Sequence, residues 1–143
     1  MIIFTAEHYA DPTAALAMSR VSSSLRFPER RPPWPMVYIC SPLSGDVPGN
    51  QRRARRYCRF ALEQGCMPMA PHLLFPQFMN DRDPDERKLA MSFCRRLLGR
   101  CRQVWVFGPV VSTGMEEELR CARSRGIPVR WFTEDCEEVY ANV

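Results

Sequence analysis

From residue 36 onward, short apolar runs alternate with amphipathic stretches. The apolar runs fall at residues 36–40, 66–70, 103–107 and 127–132. Runs of this length, bounded by proline, glycine or polar residues, are typical of strands buried on both faces of a parallel sheet. The pattern therefore predicts four such strands.

Amphipathic helices are predicted between these strands. The first runs from a cap at Asn50 to a stop at Gly65. Its apolar stripe consists of Ala54, Tyr57, Cys58, Ala61 and Leu62. The second begins with Asp83 as its cap and Pro84 in its first turn. Its predicted buried ridge consists of Leu89, Phe93, Leu97 and Cys101. Because strands and helices alternate, right-handed crossovers place the strands in one parallel sheet with helices on both faces, an α/β fold.

The two ends of the chain fit this pattern less well. Residues 1–35 are interpreted as an N-terminal appendage and linker, with a short strand at residues 2–5 and a helix capped by Asp11. The domain proper is predicted to span residues 36–143. Residues 134–140 are expected to add a final helical turn or two.

The third helix, predicted over residues 114–125, carries a glutamate inside its apolar stripe. That stripe consists of Met115, Leu119 and Ala122. Glu118 lies three residues after its first member and four before its last, and so shares its face. Glu116, by contrast, can form an exposed ion pair with Arg120. A carboxylate that faces the sheet near the carboxyl end of a strand lies where open α/β sheets bind ligands, which makes Glu118 the first catalytic candidate. His72, directly after the second strand, lies on the same side.

Composition narrows the class of protein. A chain of 143 residues, 45% apolar and 25% charged, corresponds to one soluble globular domain. No stretch approaches the roughly 18 apolar residues of a membrane span, and the N-terminus lacks a secretory pattern, so a cytoplasmic location is expected. The seven cysteines are scattered without a C-x-x-C pair. They are expected to be reduced, buried thiols, with no metal and no cofactor.

The net charge of +4 comes almost entirely from arginine, since Lys88 is the only lysine. Five arginines cluster in the first helix, namely Arg52, Arg53, Arg55, Arg56 and Arg59. They fall off the apolar stripe and no aromatic residue interleaves with them, so a solvated face is favoured over nucleic-acid binding. Arg52 or Arg53, next to the preceding loop, can still reach a phosphate.

Three segments in this order resemble the nucleoside 2-deoxyribosyltransferase superfamily, and within it an uncharacterised bacterial and phage branch. They are residues 38–46 (YICSPLSGD) followed by Asn50, residues 70–73 (APHL), and residues 112–122 (STGMEEELRCA). The resemblance covers about residues 36–132. It implies a flavodoxin-like three-layer sandwich with a four- to five-stranded, mainly parallel sheet, assembled as a homo-dimer or larger homo-oligomer.

The resemblance also implies a ligand and a set of site residues. The ligand would be a nucleoside or nucleoside 5′-monophosphate, with Glu118 as the nucleophile that attacks the anomeric carbon and Tyr38 near the sugar. An anion on the far face of the sugar stabilises the oxocarbenium-like state and can trap it. Ligand contacts are expected from Ser41, Ser44, Gly45, Asp46, Asn50, Ser112, Thr113, Gly114 and Met115, the residues 112–114 forming an anion site at a helix N-terminus.

One position departs from the family pattern. Characterised members carry an aspartate on the preceding helix that helps the base to leave, and the corresponding position here is Cys94. His72 and Asp46 are the candidates to replace it. Three readings follow: an N-glycosidase or deoxyribosyltransferase, a non-catalytic module that senses or sequesters a nucleotide-derived ligand, or a structural or phage-defence accessory protein.

Overall fold

The computed structural model describes residues 34–140 and contains one five-stranded sheet. The strands are β1 (Met36–Cys40), β2 (Met67–Met69), β3 (Gln103–Phe107), β4 (Val129–Phe132) and β5 (Glu138–Val139). The helices are α1 (Val47–Glu63), α2 (Pro71–Leu74), α3 (Pro84–Leu98) and α4 (Thr113–Ser124), with a 3₁₀ turn at Phe75–Gln77. The four predicted strands and three predicted long helices are confirmed, although their ends differ by a few residues.

The strands lie in the order β2-β1-β3-β4-β5, and only β5 is antiparallel to its neighbour. This is the flavodoxin-like order, with the chain reversing direction across the sheet between β1 and β3. The register pairs Tyr38 with Val104 and Cys40 with Val106. The predicted α/β, mainly parallel sheet is therefore confirmed.

Side chains that alternate along β1 and β3 build a core on each face of the sheet. On one face Tyr38, Cys40, Val104 and Val106 pack with Leu98, Met115 and Leu119. On the other, the buried side chains are Val37, Ile39, Tyr57, Ala61, Trp105, Phe107 and Phe132. Helices α3 and α4 thus cover the first face and α1 covers the second, which is why the two neighbouring helices α3 and α4 can form walls of one site.

Two local predictions about the helices were wrong. Asp46, not Asn50, caps α1: its carboxylate accepts a hydrogen bond from the Gly49 backbone N–H at 3.2 Å. Leu89 is 48% exposed, because each four-residue step overshoots a turn of about 3.6 residues and carries the predicted ridge off the buried face. The core takes Leu98 instead.

The expected helical turn near the C-terminus is a tight turn and strand β5. The Thr133 hydroxyl accepts hydrogen bonds from the backbone N–H groups of Asp135 and Glu137, which competes with helix formation. Cys136 then adopts φ 62°, and the chain returns antiparallel to β4. The strand and helix predicted for residues 2–5 and from Asp11 lie outside the described residues.

Candidate functional site

A cavity of about 420 Å³ opens at the carboxyl ends of the parallel strands. Ser41 enters it after β1, His72 after β2, and residues 112–114 after β3. Glu118 on α4 and Cys94 on α3 line it as well. Connections that follow three different strands therefore meet at one site, as expected for ligand binding in an open α/β sheet.

The Glu118 side chain lines this cavity and also contacts strand β1 of the sheet. It forms hydrogen bonds with the hydroxyl of Tyr38 and the thiol of Cys40, which point to the same face of β1. Tyr38 is 1% exposed and also forms a hydrogen bond with Cys94. Glu118 thus has two neutral donors, and within residues 34–140 it forms no ion pair.

This environment raises the pKa of Glu118. Burial is the main cause and brings the pKa from 4.5 to about 7, while the hydrogen bonds from Cys40 and Tyr38 act in the opposite direction. The neighbouring Glu117 carboxylate raises the pKa further. A carboxylate whose pKa lies near neutrality, in a cavity, is the type of group that serves in catalysis or ligand binding.

Burial keeps Tyr38, Cys94 and His72 uncharged at neutral pH. The pKa of Tyr38 is raised well above its usual range by burial and then by Glu118. Burial is also the main cause that raises the pKa of Cys94 to about 11. It lowers the pKa of His72 to about 4, so this imidazole is uncharged at neutral pH. His72 Nε2 and Ser41 Oγ are 2.9 Å apart and hydrogen bonded.

The start of α4 forms one rim of the cavity. Ser112 caps the helix, since its hydroxyl accepts a hydrogen bond from the Met115 backbone N–H at 3.3 Å. Met115 is buried against the core, while Thr113 and Gly114 are exposed. A Cβ at Gly114 would meet nothing within 4 Å, so the helix N-terminus is open on the cavity side. An anionic group of a ligand can approach the free backbone N–H groups there.

The β1–α1 loop brings only some of its predicted residues to this cavity. Ser41, Ser44 and Gly45 line it, and Gly45 adopts φ 93°, a conformation that favours glycine. Asp46 and Asn50 do not line it. Their observed contacts are structural, because Asp46 caps α1 and Asn50 donates hydrogen bonds to the backbone oxygens of Leu43 and Ser44.

Helix α3 contributes a wall that the sequence interpretation missed. Its cavity-lining residues are Glu86, Arg87, Ala90, Met91, Cys94 and Arg95. Spacings of three and four residues connect Arg87, Ala90 or Met91, and Cys94 on one helix face. That spacing was a signal in the sequence, because Cys94 corresponds to a site residue of the enzymes that the sequence resembles. Asp81, just before this helix, also lines the cavity.

Two kinds of feature are absent from the part of the chain that the structure describes. Residues 34–140 contain no group of three or more histidine, cysteine, aspartate or glutamate side chains that could hold a metal ion. Over the same residues, no helix has the length and apolar character needed to cross a bilayer.

Comparison with solved structures finds the same fold in an enzyme. The chain matches a 2-deoxyribosyltransferase from the psychrotolerant bacterium Bacillus psychrosaccharolyticus with a TM-score of 0.55 and 16% sequence identity, over 76% of this chain and 86% of that chain. At this identity the match establishes the fold alone. Among curated proteins, no sequence matches this chain. A family model described as "Domain of unknown function (DUF7768)" matches residues 35–132, and the chain therefore belongs to that family.

Proposed function

We propose that the protein binds a nucleoside or nucleoside 5′-monophosphate in the Glu118 cavity and acts at its N-glycosidic bond. The observation that carries this proposal is Glu118 itself, a carboxylate without an ionic partner in the described residues, held by Tyr38 and Cys40 at the carboxyl end of the sheet. A group that costs stability and faces a cavity is more readily explained by function than by folding.

The cavity has room and chemistry for such a ligand. Its volume of about 420 Å³ lies within the range of small-molecule sites. Phe75, Ala90 and Met91 supply apolar surface for a base, and the N-terminus of α4 supplies backbone N–H groups for a 5′-phosphate. Arg87 and Arg95 also line the cavity and add positive charge on the α3 side.

In the proposed reaction, an ionised Glu118 oxygen attacks the anomeric carbon. A bond forms between this oxygen and the carbon, the bond from carbon to the base nitrogen breaks, and the base leaves with the electron pair and takes up a proton. Water, or the nitrogen of a second base, then attacks the same carbon and releases the carboxylate. Tyr38 and Cys40 orient the carboxylate by hydrogen bonds and do not contact the anomeric carbon in this scheme.

The proton for the leaving base requires another donor. Cys94, with a pKa of about 11, is a weak acid, and His72, with a pKa of about 4, carries no proton to give as an imidazolium at neutral pH. Asp81 and Glu86 are the carboxyl groups that line the cavity from the α3 side. We therefore assign them as the candidates for this role in place of Asp46.

The proposal is tested by incubating the protein with a panel of deoxynucleosides, ribonucleosides and their 5′-monophosphates and measuring free base by chromatography. Wild type should release base from at least one compound, and Glu118→Gln should reduce the rate by at least about 10³-fold, since it removes the nucleophile. Glu116→Gln, on the exposed face of α4, should keep wild-type activity. Equal release by wild type and Glu118→Gln would overturn the catalytic proposal.

A second candidate is a non-catalytic module that senses or sequesters a nucleotide-derived ligand. The observation that favours it is Cys94, a protonated thiol hydrogen bonded to Tyr38 where the related enzymes carry an acid. This function predicts that a nucleotide raises the melting temperature of wild type while no free base appears.

A further inference from the structure

A second cavity of about 310 Å³ lies beside the β1–α1 loop, on the α1 face of the sheet. Arg53 and Tyr57 from α1 line it, together with Phe107 and Gly108 at the end of β3. It therefore lies at the carboxyl ends of β1 and β3, the point where the strand order reverses and where open α/β sheets bind ligands. The Glu118 cavity lies on the α3 and α4 side, and the two share Ser41 and Ser44.

Tyr57 places a buried polar group in this second cavity. The residue is 1% exposed and its ring stacks on Phe107 with the centroids 4.2 Å apart. Its hydroxyl has no hydrogen-bond partner among residues 34–140. Arg53, four residues earlier on the same face of α1, and Glu134 line the same cavity as Tyr57. A buried hydroxyl without a partner lowers the stability of the folded protein unless a group in the cavity accepts a hydrogen bond from it.

Asn50 holds Arg53, which lines the same cavity. One guanidinium nitrogen of Arg53 donates to Asn50 Oδ1 at 2.6 Å. Asn50 is 8% exposed. Its amide nitrogen donates hydrogen bonds to the backbone oxygens of Leu43 and Ser44 at 3.0 and 2.9 Å. Within the described residues Arg53 forms no ion pair with a carboxylate. The guanidinium is thus positioned by a buried amide while its charge remains available to a ligand.

The distribution of charge indicates the kind of ligand. The cavity is lined by two donors, the half-buried Arg53 guanidinium and the buried Tyr57 hydroxyl, whereas the acids that line it, Asp46 and Glu134, are exposed at the surface. We infer that the cavity is a second ligand site that binds the oxyanion end, a phosphate or a carboxylate, of a small molecule through Arg53 and Tyr57. This inference does not depend on the chemistry proposed for Glu118.

The site is tested with inorganic phosphate and with succinate, titrated separately into ¹⁵N-labelled protein while backbone amide shifts are followed. Saturable shifts of Gly108 and Val110 should appear with one or both ions, because these residues line the second cavity. Saturation by phosphate alone points to a phosphorylated ligand, and saturation by succinate alone points to a carboxylate ligand. If the only saturable shifts lie at Thr113 and Gly114, the ion binds at α4 and the inference is wrong.

Three variants distinguish specific binding in this cavity from non-specific attraction of anions to the arginines of α1. Tyr57→Phe keeps the ring stacked on Phe107 and should weaken binding roughly 10-fold, the usual effect of losing a hydrogen bond to a charged group. Arg53→Gln should weaken it at least as much. Arg55→Gln removes the same charge from an exposed position of α1 outside the cavity and should change the affinity less than about 2-fold. Equal affinity of wild type and Tyr57→Phe, or equal weakening by Arg55→Gln, would overturn the assignment.

Discussion

Glu118 is destabilising to the fold at neutral pH because its charged form is buried without a cation. The pKa is about 7 in the folded protein, against 4.5 for an ordinary glutamate. Between these values the folded state holds a proton that the unfolded state has lost, so the contribution of this group to stability falls as the pH rises from about 4.5 to about 7. The shift corresponds to roughly 3 kcal/mol of lost stability above pH 7.

Replacing Glu118 should therefore stabilise the protein in a pH-dependent way. We expect Glu118→Gln to raise the free energy of unfolding by about 2–3 kcal/mol at pH 8 and to leave it nearly unchanged at pH 4, because glutamine carries no charge to bury. Urea unfolding of both proteins at several pH values measures the difference. Glu116→Gln, on the exposed side of the same helix, should show no gain at pH 8. The measured quantity is the difference in the free energy of unfolding between Glu118→Gln and wild type. If this difference is the same at pH 8 as at pH 4, the assigned pKa is wrong.

At the level of residues, the sequence predicts Glu118 better than its surroundings. Its position on the apolar stripe of α4 follows from helical periodicity, which is a local property. Tyr38 and Cys40 share one face of β1 because they are two positions apart. Whether helix α4 packs on that face, and so brings Glu118 to Tyr38 and Cys40, depends on the connections between segments that are distant in the sequence. The hydrogen bond between Tyr38 and Cys94 likewise joins elements that the sequence places far apart.

At the level of elements, the start of α1 shows how side chains override a simple capping rule. Both Asp46 and Asn50 are suitable caps by residue type. Pro48 is suited to the first turn of a helix, which is consistent with a helix that starts before Asn50. In the structure the helix starts at Val47, directly after Asp46. Asn50 then lies inside the helix and uses its side chain to fix the β1–α1 loop. The loop that lines both cavities is thus held by a residue of the helix that follows it.

Removing the Asn50 side chain should lower the free energy of unfolding more than removal of a polar side chain usually does. Asn50→Ala leaves the backbone oxygens of Leu43 and Ser44 and the Arg53 guanidinium without their partner, and we expect a loss of about 2–4 kcal/mol in the free energy of unfolding. Gln51→Ala, one position further along α1, should change it by less than about 0.5 kcal/mol. Denaturant unfolding of the two variants measures both values. A loss below about 1 kcal/mol in Asn50→Ala would show that the loop does not depend on these hydrogen bonds.

At the level of the whole molecule, the alternation of strands and helices was sufficient to predict a parallel α/β sheet. Right-handed crossovers restrict such a pattern to few arrangements, and the observed order β2-β1-β3-β4-β5 is one of them. The position of strand β5 was not predicted, because its two residues carry no periodicity and depend on the turn around Thr133 and Cys136. The α3 wall of the Glu118 cavity and the second cavity were also not predicted, since each depends on segments that are distant in the sequence.

The division of the chain into an appendage and a domain from residue 36 remains a proposal, and it predicts the behaviour of a shortened chain. The two cores on either face of the sheet are assembled from residues between Met36 and Cys136. We therefore expect a chain that begins at Trp34 to unfold in a single cooperative transition, because a domain with its own core folds alone. Circular dichroism and intrinsic fluorescence followed through one urea titration should give coincident curves. The shortened chain should also retain the stabilisation by Glu118→Gln at pH 8, which reports on the packing around β1, α3 and α4. Loss of cooperativity, or loss of that pH-dependent difference, would show that the first 33 residues are part of the folded unit.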